Sequence, residues 1–278
     1  MSRIIDFHCH IYPDAICQRA VQGISSFYGL PLVYDGSIGT LRSLGNLHGI
    51  DHFVVFSVAT TPHQTQSINH FIAQSVQASH GTMTGLGAIH PDSENIRADL
   101  DEICNLGLKG VKLHHDIQKV EADDIRCMRI YECCEEKGLP VLLHAGDARY
   151  DYSNPKRLEQ VLKRFPQLTV IGAHLGGWSV WEEAADRLPP YHNFYVDCSS
   201  SLYALTPGRA LEIIRAYGAE RVLFGTDYPM WPMEEELSRL QTLELTEQEA
   251  ECITHRNAER LLGIAPKPAQ KVERAASS

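Results

Sequence analysis

Short runs of Val, Ile, Leu and Phe recur along the chain, and apolar residues between them fall at helical spacing. The runs are Arg3–His8, His52–Ala59, Thr82–His90, Lys109–His114, Leu139–His144, Thr169–His174, Asn193–Ser199 and Arg221–Thr226. They are mostly apolar at successive positions, the pattern of strands covered on both faces. Helical spacing fills four of the gaps: Glu94–Leu106 behind a Ser93 cap, Asp123–Lys137 ending at Gly138, Pro155–Phe165 after Asn154, and Glu247–Leu262 between Thr246 and Gly263. The flanking residues suit those ends. A side-chain oxygen satisfies free N–H groups at a helix start, proline fits its first position, and glycine takes the left-handed turn that closes it. Strands alternating with helices imply parallel pairing through right-handed crossovers. Eight units predict an α/β fold, a single (β/α)8 TIM barrel over residues 1–264, with a doubly wound open sheet as the alternative. Residues 265–278 (APKPAQKVERAASS) read as a polar C-terminal tail.

The barrel reading tells the chemistry where to gather. All strands of a parallel barrel end on one face, where the loops assemble an active site. The first predicted strand runs into His8-Cys9-His10, the fifth ends at His144, the sixth at His174 and the eighth at Asp227, while the fourth carries Lys112 and His114. His8 and His10, two apart, point the same way from a strand and can grip one cation. Imidazole and carboxylate at about 2.0–2.2 Å suit Zn²⁺, and an open position on such an ion activates water. A lone strand-end histidine is more often structural, and an HxH pair alone is weak. Their joint occurrence in barrel order with a strand-end acid predicts a metal site. Gly225 and Gly172 share the parity of Asp227 and His174, leaving room beneath a crowded cluster.

Bulk properties narrow the partners. The apolar fraction of 44% and charged fraction of 22% are those of a globular protein. The formal charge of −10, with no Lys/Arg cluster to offset it, disfavours nucleic acid and leaves a small-molecule substrate. No apolar run is long enough for a membrane span, and MSRIIDFHCH does not read as a secretory leader. Eight scattered cysteines without a CxxC pair read as free thiols, so a cytoplasmic location is expected.

The segments IIDFHCH, GVKLHHD, VLLHAGD, NPKRLEQVLKRFPQLTVIGAHLGG, LFGTDYPMW and ITHRNAERLLGI together resemble the amidohydrolase superfamily, in the branch that includes aminocarboxymuconate semialdehyde decarboxylase. The resemblance runs nearly end to end. It implies that His8, His10, His144 and Asp227 hold a divalent metal, Zn or else Mn or Fe, as one ion rather than two. It implies His174 as general acid/base or second-metal ligand, and Asp227 as acceptor of the water proton. Lys112 stands where two-metal members carry a carboxylated bridging lysine; otherwise it is a buried ammonium paired with an acid such as Asp227. Arg149, Trp178 and Trp231 are candidate substrate contacts, with a solvated loop charge and aromatic packing as the alternatives. Glu234-Glu235-Glu236 reads as a solvated face or helix start. The implied activity is a metal-dependent hydrolase whose metal-activated water attacks a C–O or C–N bond of a small cyclic or carboxylated metabolite. The alternatives are a nonoxidative decarboxylase of an aromatic or unsaturated acid, and a catalytically silent metal-binding protein. A homo-oligomer is compatible with either enzyme.

Overall fold

The computed structural model describes residues 3–266; most of the predicted tail, 267–278, lies outside them. Nine short strands occupy the eight predicted places: β1 (Ile5–His10), β2 (His52–Phe56), β3 (Met83–Gly85), β4 (Gly87–Ala88), β5 (Val111–Leu113), β6 (Val141–Leu143), β7 (Val170–Gly172), β8 (Phe194–Asp197) and β9 (Val222–Leu223). All pair parallel with their sequence neighbours inside two sheets, β1–β3 and β4–β9.

Backbone bonds carry the ladder across both seams. Between β3 and β4, Leu86 N–H donates to Val55 O at 3.0 Å and Gly87 N–H to Gly110 O at 2.8 Å. On the other side Phe7 N–H donates to Phe224 O and His10 N–H to Tyr228 O, both at 2.8 Å. The cylinder is closed, and the open-sheet alternative falls. Burial on both faces follows. Ile5, Phe7, Val54, Leu142, Ile171 and Leu223 pack inside the barrel, while Val55, Val111, Val141, Val170, Val196 and Val222 pack outward under the helices. Each such side chain, fully removed from water, contributes about 1.5–3 kcal/mol.

The observed strands are shorter than the apolar runs because the terminal histidines leave the ladder. His114 and His144 directly follow the last strand residue and His174 comes one residue later, after Ala173, whereas β1 runs on to include His10. The helices hold with local changes. Asn95, not Ser93, caps the helix Ile96–Asn105, its Oδ1 accepting from Ala98 N–H at 3.1 Å, while Ser93 Oγ donates to Asp99. Gly138 ends Ile125–Lys137 in the left-handed region at φ 65°. The last helix begins on a Thr246/Glu249 capping box but widens into a π turn over Cys252–Arg256 before Asn257–Leu262. Within that turn the Ile253 carbonyl accepts from Phe224 N–H at 2.9 Å, tying the helix to the strand that leads to Asp227.

Helices α1 (Cys17–Tyr28) and α2 (Ile38–His48) fill the β1–β2 connection, where the sequence reading assigned no element. Among the described residues no helix is long and apolar enough to cross a membrane. All eight cysteines are free.

Candidate metal centre

Two strand ends bring three of the four candidate ligands together. His8 Nε2 lies 3.3 Å from His10 Nε2 and 3.3 Å from Asp227 Oδ1, which is 3.6 Å from His10 Nε2. All three residues are buried. Lys112 Nζ stands 3.5 Å from His8 Nε2. His144 is outside this triad. Its Nδ1 meets His174 Nε2 at 3.1 Å, and its ring stacks on His114 with centroids 4.0 Å apart.

The outer contacts of the rings decide their protons. Asp197 Oδ2 sits 2.8 Å from His8 Nδ1; a carboxylate only accepts, so the proton is on Nδ1 and the Nε2 lone pair faces the triad. His174 Nδ1 likewise donates to Ser199 O at 3.0 Å, and His144 Nε2 to Gly146 O at 3.1 Å. The lone pairs of His174 Nε2 and His144 Nδ1 therefore face each other, and His10 Nδ1 is buried with no hydrogen-bond partner. Lone pairs opposed at such distances repel unless a proton or cation lies among them. Ring nitrogens fixed from behind by a carboxylate or carbonyl are how proteins orient imidazoles toward a metal. The donor set fits a divalent cation.

The electrostatics point the same way. Burial pushes His8, His10 and His144 well below the ordinary imidazole range, with Lys112 and neighbouring imidazoles adding to it, and lowers His174 to about 4. Neutral imidazole is the ligating form. Burial raises Asp227, opposed by His8 and by a hydrogen bond from Ser200. Lys112 falls to about 8 through burial, with Asp197 and Asp227 pulling it back. The alternative pairing with an acid such as Asp227 is not made as an ion pair among the described residues; the ammonium lies over the Phe56 ring, 4.8 Å from the centroid.

Backbone strain collects here too. His174 (φ 60°), Leu175 (φ 53°), Ser200 (φ 47°) and Asp227 (φ 57°) all adopt left-handed conformations unfavourable for side-chain-bearing residues. The surroundings hold them. Ser200 Oγ donates to Asp227 Oδ2 at 2.5 Å and accepts from Trp231 Nε1 at 2.6 Å. Asp6 accepts from His8 N–H at 3.1 Å and Thr226 N–H at 2.9 Å, fixing two ligand-bearing strand ends against each other. A Cβ on Gly225 would lie 2.8 Å from His8 Cβ, so the small residue expected beneath the cluster is sterically required.

A cavity of about 610 Å³ opens from this centre, with His10, Lys112, His144, His174 and Asp227 at its inner end. None of the three candidate substrate contacts lines this cavity. Arg149 makes two bonds to buried Asp147, at 2.9 and 2.7 Å, and a third to Phe27 O at 2.7 Å; its guanidinium packs among Phe27, Tyr28, Tyr150 and Trp178. It fastens α1 to a barrel loop through three hydrogen bonds to protein. Trp178 and Trp231 line a small recess beside it, together with His144, His174 and Asp227. In the acidic run, Glu234 and Glu235 start the helix Met233–Gln241 as expected, but Glu236 turns inward, fully buried and paired with Arg239.

Sequence reasoning passed over Asp197, Ser200 and Tyr28. Asp197 carried a signal, because the predicted strand Asn193–Ser199 also carries an acid near its end. Tyr28, whose hydroxyl lies 2.8 Å from His114 Nε2, carried none.

A family model described as Amidohydrolase matches residues 5–264. No curated protein matches the chain. Among solved structures, an uncharacterized TIM-barrel protein from Bordetella bronchiseptica is 26% identical, with a TM-score of 0.77 over 94% of this chain and 98% of its own. The 5-carboxyvanillate decarboxylase LigW from Sphingomonas paucimobilis is 16% identical, with a TM-score of 0.76 over 95% and 100%. A dihydroxybenzoic acid decarboxylase from Polaromonas sp. JS666, with bound manganese and 2-nitroresorcinol, is 18% identical, with a TM-score of 0.70 over 95% and 97%.

Proposed function

This chain belongs to the amidohydrolase family, and from that premise we propose that it is a metal-dependent hydrolase of a carbonyl compound with a C–O or C–N bond to cleave. The observation that carries the reading is the meeting of His8 Nε2, His10 Nε2 and Asp227 Oδ1 at the inner end of a large cavity. His8, His10 and Asp227 would hold one divalent ion, zinc in our reading, with His144 turning its free Nδ1 toward the same space. When bound, such an ion supplies Lewis acidity, polarising a carbonyl oxygen and bringing the pKa of water to about 7.

The chain's own groups handle the protons. Asp227 Oδ1 accepts the proton of the attacking water while Ser200 Oγ holds Oδ2 and fixes the carboxylate's rotation. His174, its Nδ1 proton given to Ser199 O, has Nε2 free to take a proton and return it to the leaving group. Asp197 keeps His8 in the tautomer whose Nε2 lone pair faces inward. Lys112, beside His8 Nε2, provides positive charge next to developing negative charge.

Nonoxidative decarboxylation is the second reading, favoured by the decarboxylases among the similar solved structures. A panel of lactones, amides, esters and aromatic acids, offered to protein loaded with zinc or manganese, separates the two. Acid release without CO2 supports hydrolysis; CO2 evolution with no hydrolysis overturns it.

A further inference from the structure

We propose that α1 forms one wall of an extended apolar subsite, that Gly23 keeps this subsite open, and that the substrate carries an uncharged alkyl or aryl arm beyond its reacting carbonyl. The hydrolase reading above is used only to place the reacting group at the inner end of the cavity. The arm stands on separate observations.

Ile16, Ala20, Gly23, Ile24 and Phe27 recur at helical spacing, so they form one face at α1, and all of them line the cavity. A surface helix normally buries such a stripe against the core. Here the helix buries only Cys17, and Ile16 at its start is 42% exposed. The apolar side chains of Ile68, Phe71 and Ile117 line the same cavity from other elements. Outside the metal centre, Arg19 is the one charged lining residue among those described.

Gly23 has no local reason to be glycine. It sits inside a helix, where glycine is the least favourable residue after proline. It is absent from the positive-φ residues, and an added Cβ would meet nothing within 4 Å. Neither conformation nor close packing requires the missing side chain. The space it leaves opens into the cavity. At about 610 Å³ that cavity falls within the range of about 300–1,000 Å³ that encloses drug-sized ligands, larger than a single-ring acid needs.

The test uses zinc-loaded full-length protein and straight-chain alkyl hydroxamates from acetohydroxamate to decanohydroxamate, with affinity measured by calorimetry. The proposal expects binding to tighten by about fourfold per methylene until the arm is filled. Gly23→Leu should cut the series short, weakening octanohydroxamate by about tenfold or more while leaving acetohydroxamate unchanged. Gly23→Ala serves as the folding control, and neither variant should melt below the wild type. Affinity that does not depend on chain length in the wild type, or a Gly23→Leu series parallel to it, overturns the proposal. The same series on zinc-free protein separates the two readings. A retained chain-length slope with no loss of affinity supports the arm and counts against the metal centre.

Discussion

Replacement of Asp197 by asparagine tests how the centre sets the protonation of its ligands. Asp197 Oδ2 takes the His8 Nδ1 proton at 2.8 Å, and Oδ1 accepts from Ser199 N–H at 3.1 Å and His174 N–H at 3.3 Å. Asparagine has a single carbonyl oxygen. If it keeps the backbone bonds, its NH2 group faces His8 Nδ1 and can only donate. His8 must then move its proton to Nε2, the nitrogen that faces His10 and Asp227, and a protonated nitrogen cannot ligate. Holding the ligating tautomer instead gives up a charge-assisted hydrogen bond inside a fully buried site, worth about 1.5–3 kcal/mol. At about 1.4 kcal/mol per decade, that predicts a metal dissociation constant weakened about 10–100-fold. Competition against a chromophoric chelator measures it, with far-UV circular dichroism and melting of the metal-free protein showing that the fold is kept. A folded Asp197→Asn variant binding metal within about twofold of wild type refutes the tautomer argument.

Three other substitutions probe different parts of the account. Ser200→Ala frees Asp227 Oδ2 and strands the Trp231 indole, so turnover of a substrate found in the panel should fall about tenfold or more with metal content unchanged; an unaltered kcat removes Ser200 from the machinery. Arg149→Ala leaves Asp147 buried without its partner and unfastens α1, and should lower stability by about 2 kcal/mol in denaturant titrations, whereas no change would mean the clamp is idle. Glu236 is held up from 4.5 to about 7, chiefly by burial with Arg239 opposing. Its folded-state pKa is raised, so its contribution to stability is full below about pH 4.5 and is lost as pH climbs through about 7, a swing of at most about 3 kcal/mol. Glu236→Gln should therefore gain on the wild type in melting temperature between pH 5 and pH 8, and a relative loss would reverse the sign.

Much of this architecture is legible in the chain, for a definite reason. A parallel barrel buries its strands on both faces, so each announces itself as an apolar run, and parallel order places every strand end on one rim. The strand-end places of His8, His10, His144, His174 and Asp227 are readable from that rule alone. What stays hidden depends on which way side chains turn outside the ladder. Arg149 resembles a substrate anchor until Asp147, two residues before it, is seen to take two of its donors. Glu236 looks like its solvated neighbours until the helix turns it inward. The face of α1, though Phe27 in it also packs on Arg149, escapes notice because it borders the cavity, which no local pattern records. Trp231 donates its indole N–H to Ser200, a residue remote in sequence, and only the fold joins them.

The most direct test of the central claim is anomalous diffraction at the zinc edge from crystals of the metal-loaded protein. The account predicts a peak at about 2.0–2.2 Å from His8 Nε2, His10 Nε2 and an Asp227 carboxylate oxygen. A peak away from these three residues, or none in a preparation that turns over its substrate in the presence of chelator, contradicts it.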